Sequence, residues 1–464
     1  MLTILVLSAV AYRVASGSGV KRQVAEIKAR RLPVSPEELD LWYRRVPATS
    51  NAALAYLEAY SFFVQPGTNN PNEMKVKLAL GEPLPAELNT AIDAHLAKNR
   101  ETLEQLHAAA ALPESRYPID LTKGFETLLP HLAYLKSMAF LLQWEAINQS
   151  ARGNRPEALR AIKTAFALAR TLEGEPLLIS DLVRIAIIAI NLPAVERVVS
   201  EQELSDAELG ELMDLLARTE TSGADALKRA MIGERALGMA AFNMDFRMFE
   251  ALSLDASTGL DDFSDLLKVG LFEARRVLGA TDRDLGYYIT RMTEYERATE
   301  KEFPEMLREA QLVSEKVESE VPQNRIRYLI SGMLLPSLSV AAKKEAVLAG
   351  QLRCARLALA AERFRLAHER FPDARELVPT YITAIPDDPV DGAPLDLEIL
   401  EGSLGAKGTG IRVESLATTA VNKKGTKSTN LPEVAFTILR KAKSSSGEKR
   451  DGAEEHKITS SGDH

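Results

Sequence analysis

The chain has one cysteine, Cys354, among its 464 residues. A single thiol excludes an intramolecular disulfide framework and any metal site built from cysteines alone. Aromatic residues are also scarce, at 6% of the chain. Alanine, leucine, glutamate and arginine are plentiful instead, and this is the composition of helices rather than of sandwiches or barrels. The sequence therefore predicts an all-α protein.

A strong net charge is missing as well. The formal net charge is -8, which is mild for this length and gives no field that would attract nucleic acid, so we expect no nucleic-acid partner. Residues 401–464 carry lysines and arginines among serines, threonines and glycines. This composition predicts a low-complexity, disordered tail, in which the segment LPEVAFTILRKA could form one short helix.

Motifs for catalysis and metal binding are absent from the sequence. We find no Gly-x-Ser-x-Gly, no Gly-Lys-Ser/Thr and no His-x-x-x-His. One Glu-x-x-His joins Glu104 to His107, with Glu101 a turn earlier, whereas di-iron bundles need two such motifs and further carboxylates. We therefore predict that this acidic face points to water and that Cys354 is a packing residue. We infer no metal, no cofactor and no small-molecule substrate.

Apolar runs long enough to span a bilayer alone are absent, because about 20 residues are needed. The run MLTILVLSAVAY resembles the core of a signal peptide, and we assign residues 1–20 as an N-terminal membrane anchor or signal-like segment. A buried first helix is the alternative. We expect a single-pass, membrane-associated protein whose bulk lies on the outer side of the cytoplasmic membrane, although the basic residues after the run favour a cytoplasmic body.

Residues 33–335 carry dense helix signals, which predict a helical body. In SPEELDLWYRRV, Ser35 and Glu38 form a capping box around Pro36 at the first helical position. Residues 85–111 predict one long helix, and Asp181 and Arg184 interrupt the apolar run EPLLISDLVRIAIIAINLP, which therefore predicts a buried helix. We predict further helices at 204–218, 224–250, 261–278, 282–319 and 337–368. The charged stretch 287–320 predicts a solvated helix face.

Residues 127–172 predict a helical hairpin with its turn at RGNRP. Small residues at the close contacts make this hairpin resemble one tetratricopeptide-type unit. Such repeat folds need three or more copies, and no second copy at a fixed period is visible in the sequence. Ordinary packing of a helix pair is therefore the alternative.

Residues 336–400 predict a long helix followed by a proline-punctuated segment. Leu348, Leu352, Leu359 and Leu366 recur at helical spacing and predict one packed seam. Pro372 stops the helix, and IPDDPVDGAPL predicts a chain reversal.

This ending resembles the C-terminal globular part of type II secretion major pseudopilins. In that family a helix with Ala-x-x-x-Tyr-x-Leu leads into Arg-Tyr-Pro, a leucine-containing loop and Leu-Pro-x-Asp-Pro-x-Gly-x-Pro. The motif comprises here Phe364, Leu366, Phe371, Pro372, Tyr381, Pro386, Asp388, Pro389, Gly392 and Pro394. Glu369 stands where the family has a helix-ending glycine in the left-handed conformation. The prepilin-peptidase pattern and the acidic calcium-binding loop have no counterpart in this chain.

The whole chain resembles membrane-anchored bacterial helical proteins with such an ending. We expect an irregular multi-helix bundle or hairpin array with a small pseudopilin-like cap. The resemblance implies an envelope-associated, non-enzymatic scaffold or interaction protein with protein partners, linked to a secretion-type assembly. The alternatives are an enzyme whose site is not visible in the sequence and a tetratricopeptide-like peptide-binding module. An enzyme should gather side chains with shifted pKa values in a deep cleft, whereas a scaffold should show shallow grooves.

Overall fold

The computed structural model describes residues 17–67, 70–74, 80–248, 265–336, 338–401, 408–415 and 434–441. This part of the chain is mostly helical and adds one small antiparallel sheet. The predicted helical character is therefore confirmed, and the sheet is a feature that the sequence did not lead us to expect.

The helices follow one another in chain order with short connections. They are α1 (17–29), α2 (Pro36–Trp42), α3 (Ala52–Ser61), α4 (Ala86–Lys98), α5 (Arg100–Ala109), α6 (Pro130–Ala151), α7 (Arg155–Arg170), α8 (Leu178–Glu201), α9 (Asp206–Ala241), α10 (Asp265–Val277), α11 (Ala280–Ala298), α12 (Glu305–Gln323), α13 (Leu329–Leu334) and α14 (Leu338–His368). Short 3-10 turns lie at Ala48–Ser50, Leu121–Glu126 and Ala374–Leu377. The strands are β1 (Asp396–Glu401), β2 (Gly408–Glu414) and β3 (Ala435–Lys441).

Local capping explains where the early helices begin and end. The hydroxyl of Ser35 accepts from the amide of Glu38 at 3.3 Å, as predicted, but the Glu38 carboxylate accepts from Val34 at 3.0 Å rather than from Ser35. The long helix predicted at 85–111 is divided at Asn99, because this buried amide side chain bonds both the N–H and the C=O of Val64. Helices α4 and α5 are the two halves.

Three helix pairs stack in the first half of the body. Helix α3 packs against α5, α6 against α7 and α8 against α9. The first helices contact one another in the order α3, α6, α8, and the second helices in the order α5, α7, α9. The hairpin predicted at 127–172 is α6 and α7, joined by residues 152–154. It is one of three stacked pairs, although no fixed sequence period reveals the other two.

Two hydrophobic cores are joined by the long helices α9 and α14. One core lies among the stacked pairs, and the other lies between α1, the second half of α9, α11, α12 and α13. Helix α9 runs unbroken through the region where we predicted two helices. The single helix predicted at 282–319 is instead divided into α11 and α12, with Pro304 immediately before α12.

The charged stretch 287–320 is not a uniformly solvated face. Glu296 of α11 is fully buried and accepts from Arg30 at 2.5 Å and from the equally buried Arg235 of α9. The prediction of a solvated face is therefore wrong at this position. An arginine on a packed helix provides the counter-charge that makes burial of the carboxylate tolerable.

The sheet has the order β1-β2-β3, with both pairs antiparallel. Ile411 and Val413 of β2 and Phe436 and Ile438 of β3 are buried on the face that packs against α8 and α14. Side chains alternate between faces along a strand, so a period of two carries this burial. Strands β2 and β3 occupy two stretches of the predicted disordered tail, and the short helix predicted in LPEVAFTILRKA is wrong. The other residues after 415 lie outside the described ranges.

One helix in the described part of the chain, α8, is long and apolar enough to span a membrane, with a mean hydropathy of 1.9. Of its apolar window, 61% is buried inside the fold, and Asp181 and Arg184 lie in the interior. Helix α8 is therefore a core helix, as predicted. Most of the predicted N-terminal anchor falls on residues 1–16, outside the described residues, and residues 17–20 begin α1.

Candidate functional site

The pseudopilin-like motif begins at the end of α14. Glu369 has a φ of 56°, so the helix ends in the left-handed conformation that the resemblance implies for glycine at this position. Leu348, Leu352 and Leu359 are buried, whereas Leu366 is 37% exposed. The predicted seam is therefore wrong at Leu366, because Phe364 takes the buried position in the last turns of the helix.

The segment after α14 folds back onto the helix through aromatic contacts. Tyr381 meets Phe364 edge to face at 5.5 Å, and its hydroxyl lies 3.2 Å from Nε2 of His368. Pro372 is buried, and Phe371 packs against the same core. These motif residues form a packed cap on the helix end.

The chain reversal after Pro386 is formed as predicted. Oδ1 of the buried Asp388 accepts from the amide of Val390 at 2.8 Å, and the Asp388 amide donates to Ala393 at 2.7 Å. Gly392 adopts a φ of 78°, which favours glycine. Of the three motif prolines in this turn, Pro389 is buried, Pro386 is half-buried and Pro394 is exposed. The motif residues are structural, because they hold the turn rather than line a cleft.

Strand β3 is attached to α8 through two side chains. Oε1 of Glu196 accepts from the amide of Thr437 at 2.6 Å, and the hydroxyl of Ser200 accepts from the amide of Leu439 at 3.2 Å. These bonds occupy donors on the outer edge of the strand, which the sheet leaves unpaired. Burial raises the pKa of Glu196 to about 7, against the opposing effect of the Thr437 amide.

A buried ion cluster joins α8 to α14. Arg184 donates to Asp181 and to Glu345, at 2.7 Å in each case, and all three side chains are buried. Burial raises the pKa of Glu345 to about 7 and also raises that of Asp181, while Arg184 acts in the opposite direction on both. Gly223 of α9 leaves room for the cluster, since an added Cβ would lie 2.3 Å from Oε1 of Glu345.

A second buried cluster joins α10, α11 and α13. Arg275 donates to Asp284 at 2.9 Å, and the hydroxyl of Ser331 donates to the same carboxylate at 2.6 Å. Burial raises the pKa of Asp284, and the Ser331 and Arg275 contacts oppose this effect. In both clusters the shifted carboxyls lie at helix interfaces and not on the walls of the clefts described below.

His107 has the contacts closest to a catalytic arrangement. Its Nδ1 lies 2.7 Å from the hydroxyl of Thr164, and its Nε2 lies 3.0 Å from the carboxylate of Glu145. A hydroxyl, an imidazole and a carboxylate in this order are typical of nucleophilic catalysis. However, Thr164 is only 3% exposed and does not line the adjacent cleft of about 480 Å³. The network instead ties α5, α6 and α7 together.

The other residues examined for chemistry lie where packing explains them. Glu101 and Glu104 are exposed, as predicted for an acidic face. Cys354 is fully buried, and burial raises the pKa of its thiol to about 12, as expected for a packing residue. In the part of the chain that the structure describes, no group of three or more histidine, cysteine or acidic residues is placed to hold a metal ion.

A cleft of about 310 Å³ lies where α2, residues 112–115, the end of α7 and α9 meet. We call it the arginine cleft, since its lining includes Arg44, Arg170 and Arg229, beside Trp42 and Glu173. The Glu173 carboxylate accepts from Ser222 at 2.5 Å, and burial raises its pKa against the effect of the nearby arginines. Sequence reasoning missed this cleft because its residues come from four distant segments without a shared motif.

Comparison of the chain with protein-family models, with curated proteins and with solved structures finds no match. Its function must therefore be argued from its own geometry.

Proposed function

We propose that this chain is a non-enzymatic helical scaffold that binds other proteins in the bacterial envelope. The observation that carries the proposal is the location of the shifted carboxyls. Asp181, Asp284 and Glu345 are engaged in ion pairs between helices. Enzymes instead place such groups in a cleft that a substrate can reach. The clusters rigidify a body whose surface is free to bind partners.

The stacked helix pairs support an interaction role. Pairs α3/α5, α6/α7 and α8/α9 reach the number of units that a helical repeat module needs. Large apolar side chains are also exposed on the connections around them, with Leu41 at 72% and Leu128 at 83%. A tetratricopeptide-like peptide-binding module is therefore the second candidate, and it is a more specific form of the same role.

The envelope location and the secretion link rest on the two ends of the sequence. The apolar run in residues 1–12 supports an anchor. Helix α1 follows it and is fixed to the body, since Gln23 donates to Thr290 of α11 at 2.9 Å. The pseudopilin-like cap supports a link to a secretion-type assembly. In this arrangement the anchor leaves the body on the side of α11.

The enzyme alternative has its best support in Thr164, His107 and Glu145. A nucleophile must reach a substrate, and Thr164 is covered by its neighbours. The same three side chains are fully explained as a hydrogen-bonded tie between helices. We therefore favour the scaffold.

Fractionation tests the membrane part of this proposal. The full-length chain and a variant lacking residues 1–16 are expressed in bacteria, and membranes are separated from soluble protein. The full-length chain should sediment with membranes or be cleaved after export, whereas the shortened chain should stay soluble with an unchanged melting temperature. A soluble full-length chain that retains Met1 would contradict the anchor.

Cross-linking followed by a pull-down from detergent-solubilised membranes tests the scaffold part. Leu41→Ser and Leu128→Ser should reduce capture of the partners that the unaltered chain retains. Leu312→Ser is the matched control, because Leu312 is 55% exposed on α12, away from the stacked pairs. Equal capture by all variants and by an unrelated helical protein would contradict a scaffold.

A further inference from the structure

The arginine cleft contains two guanidinium groups that lack a carboxylate partner among the described residues. Arg170 donates to the main-chain carbonyl of Leu112 at 3.3 Å, and Arg229 donates to that of Glu173 at 2.5 Å. Each guanidinium has five N–H donors, so most of them remain available. Positive charge in a partly enclosed cleft attracts an anion.

The charges in the cleft define the anion. Arg44 is neutralised by Glu114, which also accepts from Ser50 at 3.1 Å. Arg170 and Arg229 contribute two positive charges, and the ionised Glu173 contributes one negative charge. One net positive charge remains, and it matches a single carboxylate. A phosphate dianion would add a second negative charge close to Glu173 and Glu114.

The remaining lining is apolar. Val46, Leu112 and Pro113 lie beside the ring of Trp42. The volume of about 310 Å³ is at the lower end of the range for ligand sites, so it suits a small group rather than a large ligand. An anion bound at the arginines would therefore place its attached group against carbon atoms.

We propose that the arginine cleft binds one carboxylate joined to an apolar group. The carboxylate accepts hydrogen bonds from Arg170 and Arg229, and the apolar group lies against Trp42. A small organic acid and the C-terminal residue of a peptide share this chemistry. The site goes beyond the scaffold role and does not depend on it, since its ligand binds the isolated chain.

Calorimetric titration of the full chain tests the ligand chemistry. The probes are phenylbutyrate, its neutral amide phenylbutanamide and inorganic phosphate. Phenylbutyrate should bind about tenfold or more tightly than the other two, because charge-assisted bonds to guanidinium are the stronger kind. No binding of phenylbutyrate, or equal binding of the acid and the amide, would overturn the proposal, and so would a preference for phosphate.

A second pair of probes distinguishes the two sources of the carboxylate. An acetylated Ala-Ala-Leu peptide with a free C-terminus is compared with the same peptide carrying a C-terminal amide. Tighter binding of the free peptide than of phenylbutyrate supports a peptide terminus as the ligand. Tighter binding of phenylbutyrate supports a small organic acid.

Variants test the residues. Arg170→Gln and Arg229→Gln should each weaken phenylbutyrate binding about tenfold, whereas Arg308→Gln, on the exposed surface of α12, should not. Glu173→Gln should tighten binding severalfold, because it removes the opposing charge and keeps an acceptor for Ser222. A gain in affinity cannot result from misfolding. Unchanged affinity in Glu173→Gln together with unchanged affinity in both arginine variants would overturn the assignment.

Discussion

Arg440 of β3 donates to the carboxylate of Glu362 in α14, with its Nε 3.0 Å from Oε1. Glu362 is 1% exposed and also accepts from Arg365 at 2.7 Å. Two guanidinium groups therefore compensate one buried carboxylate. This ion pair joins a strand from the predicted tail to the helix that carries the pseudopilin-like cap.

Replacing Arg440 with methionine should destabilise the protein. Loss of one partner from a buried ion pair costs about 3–5 kcal/mol, and because Arg365 still pairs with Glu362 we expect the lower end, about 3 kcal/mol. Arg308→Met is the control, since its exposed pair with Glu305 should be worth less than about 1 kcal/mol. Urea unfolding measures both variants. Equal small losses would mean that the sheet is not held by this pair.

Attachment of β3 through Glu196 should make stability depend on pH. Its pKa of about 7 in the folded chain lies above the ordinary 4.5. Between these values the folded state holds a proton that the unfolded state has lost. Stability from this group is therefore complete below about pH 4.5 and is lost as the pH rises through about 7.

Glu345 titrates in the same range, so Glu196 must be isolated by substitution. Glu196→Gln should reduce the loss of unfolding free energy between about pH 5 and about pH 8 by on the order of 1 kcal/mol. Urea unfolding across this range compares the variant with the unaltered chain. Parallel pH profiles would show that Glu196 is not protonated in the folded state.

Leucines on α14 provide a matched test of the seam. Leu359 is fully buried, and truncation to alanine should cost about 2–5 kcal/mol. Leu366→Ala makes the same change at a position that is 37% exposed, and it should cost less than about 1 kcal/mol. Thermal melting of both variants checks the difference. Comparable losses would place Leu366 in the core, as the spacing alone suggested.

The helical part of the fold was predictable because its signals are local. Ser35 and Pro36 mark the start of α2, and the turn at 152–154 separates α6 from α7. Even the unfavourable φ at Glu369 followed from the pseudopilin-like motif. Helix limits were less well predicted at Asn99, because a contact with the distant Val64 divides the helix there.

The sheet and the interior charges were not predictable in the same way. Ile411 and Val413 alternate with polar residues, but strands of this length signal weakly inside a polar, low-complexity region. Nothing local distinguishes the buried Arg235 from an exposed arginine, because its partner Glu296 is on another helix. The arginine cleft has the same cause, since packing alone brings Arg170 and Arg229 together.

The end of α14 gives the most direct test of the cap. Glu369 is held at a φ of 56°, and a side chain in this region is strained by about 1–2 kcal/mol. Glu369→Gly removes that strain but makes the unfolded chain more flexible, so the net gain should be a few tenths to about 1 kcal/mol. Lys344→Gly is the control, because it places glycine at an exposed position inside the same helix, where it should cost about 1 kcal/mol. Melting curves should therefore move in opposite directions. If both variants lose stability, α14 continues through position 369, and the pseudopilin-like ending is not formed as described.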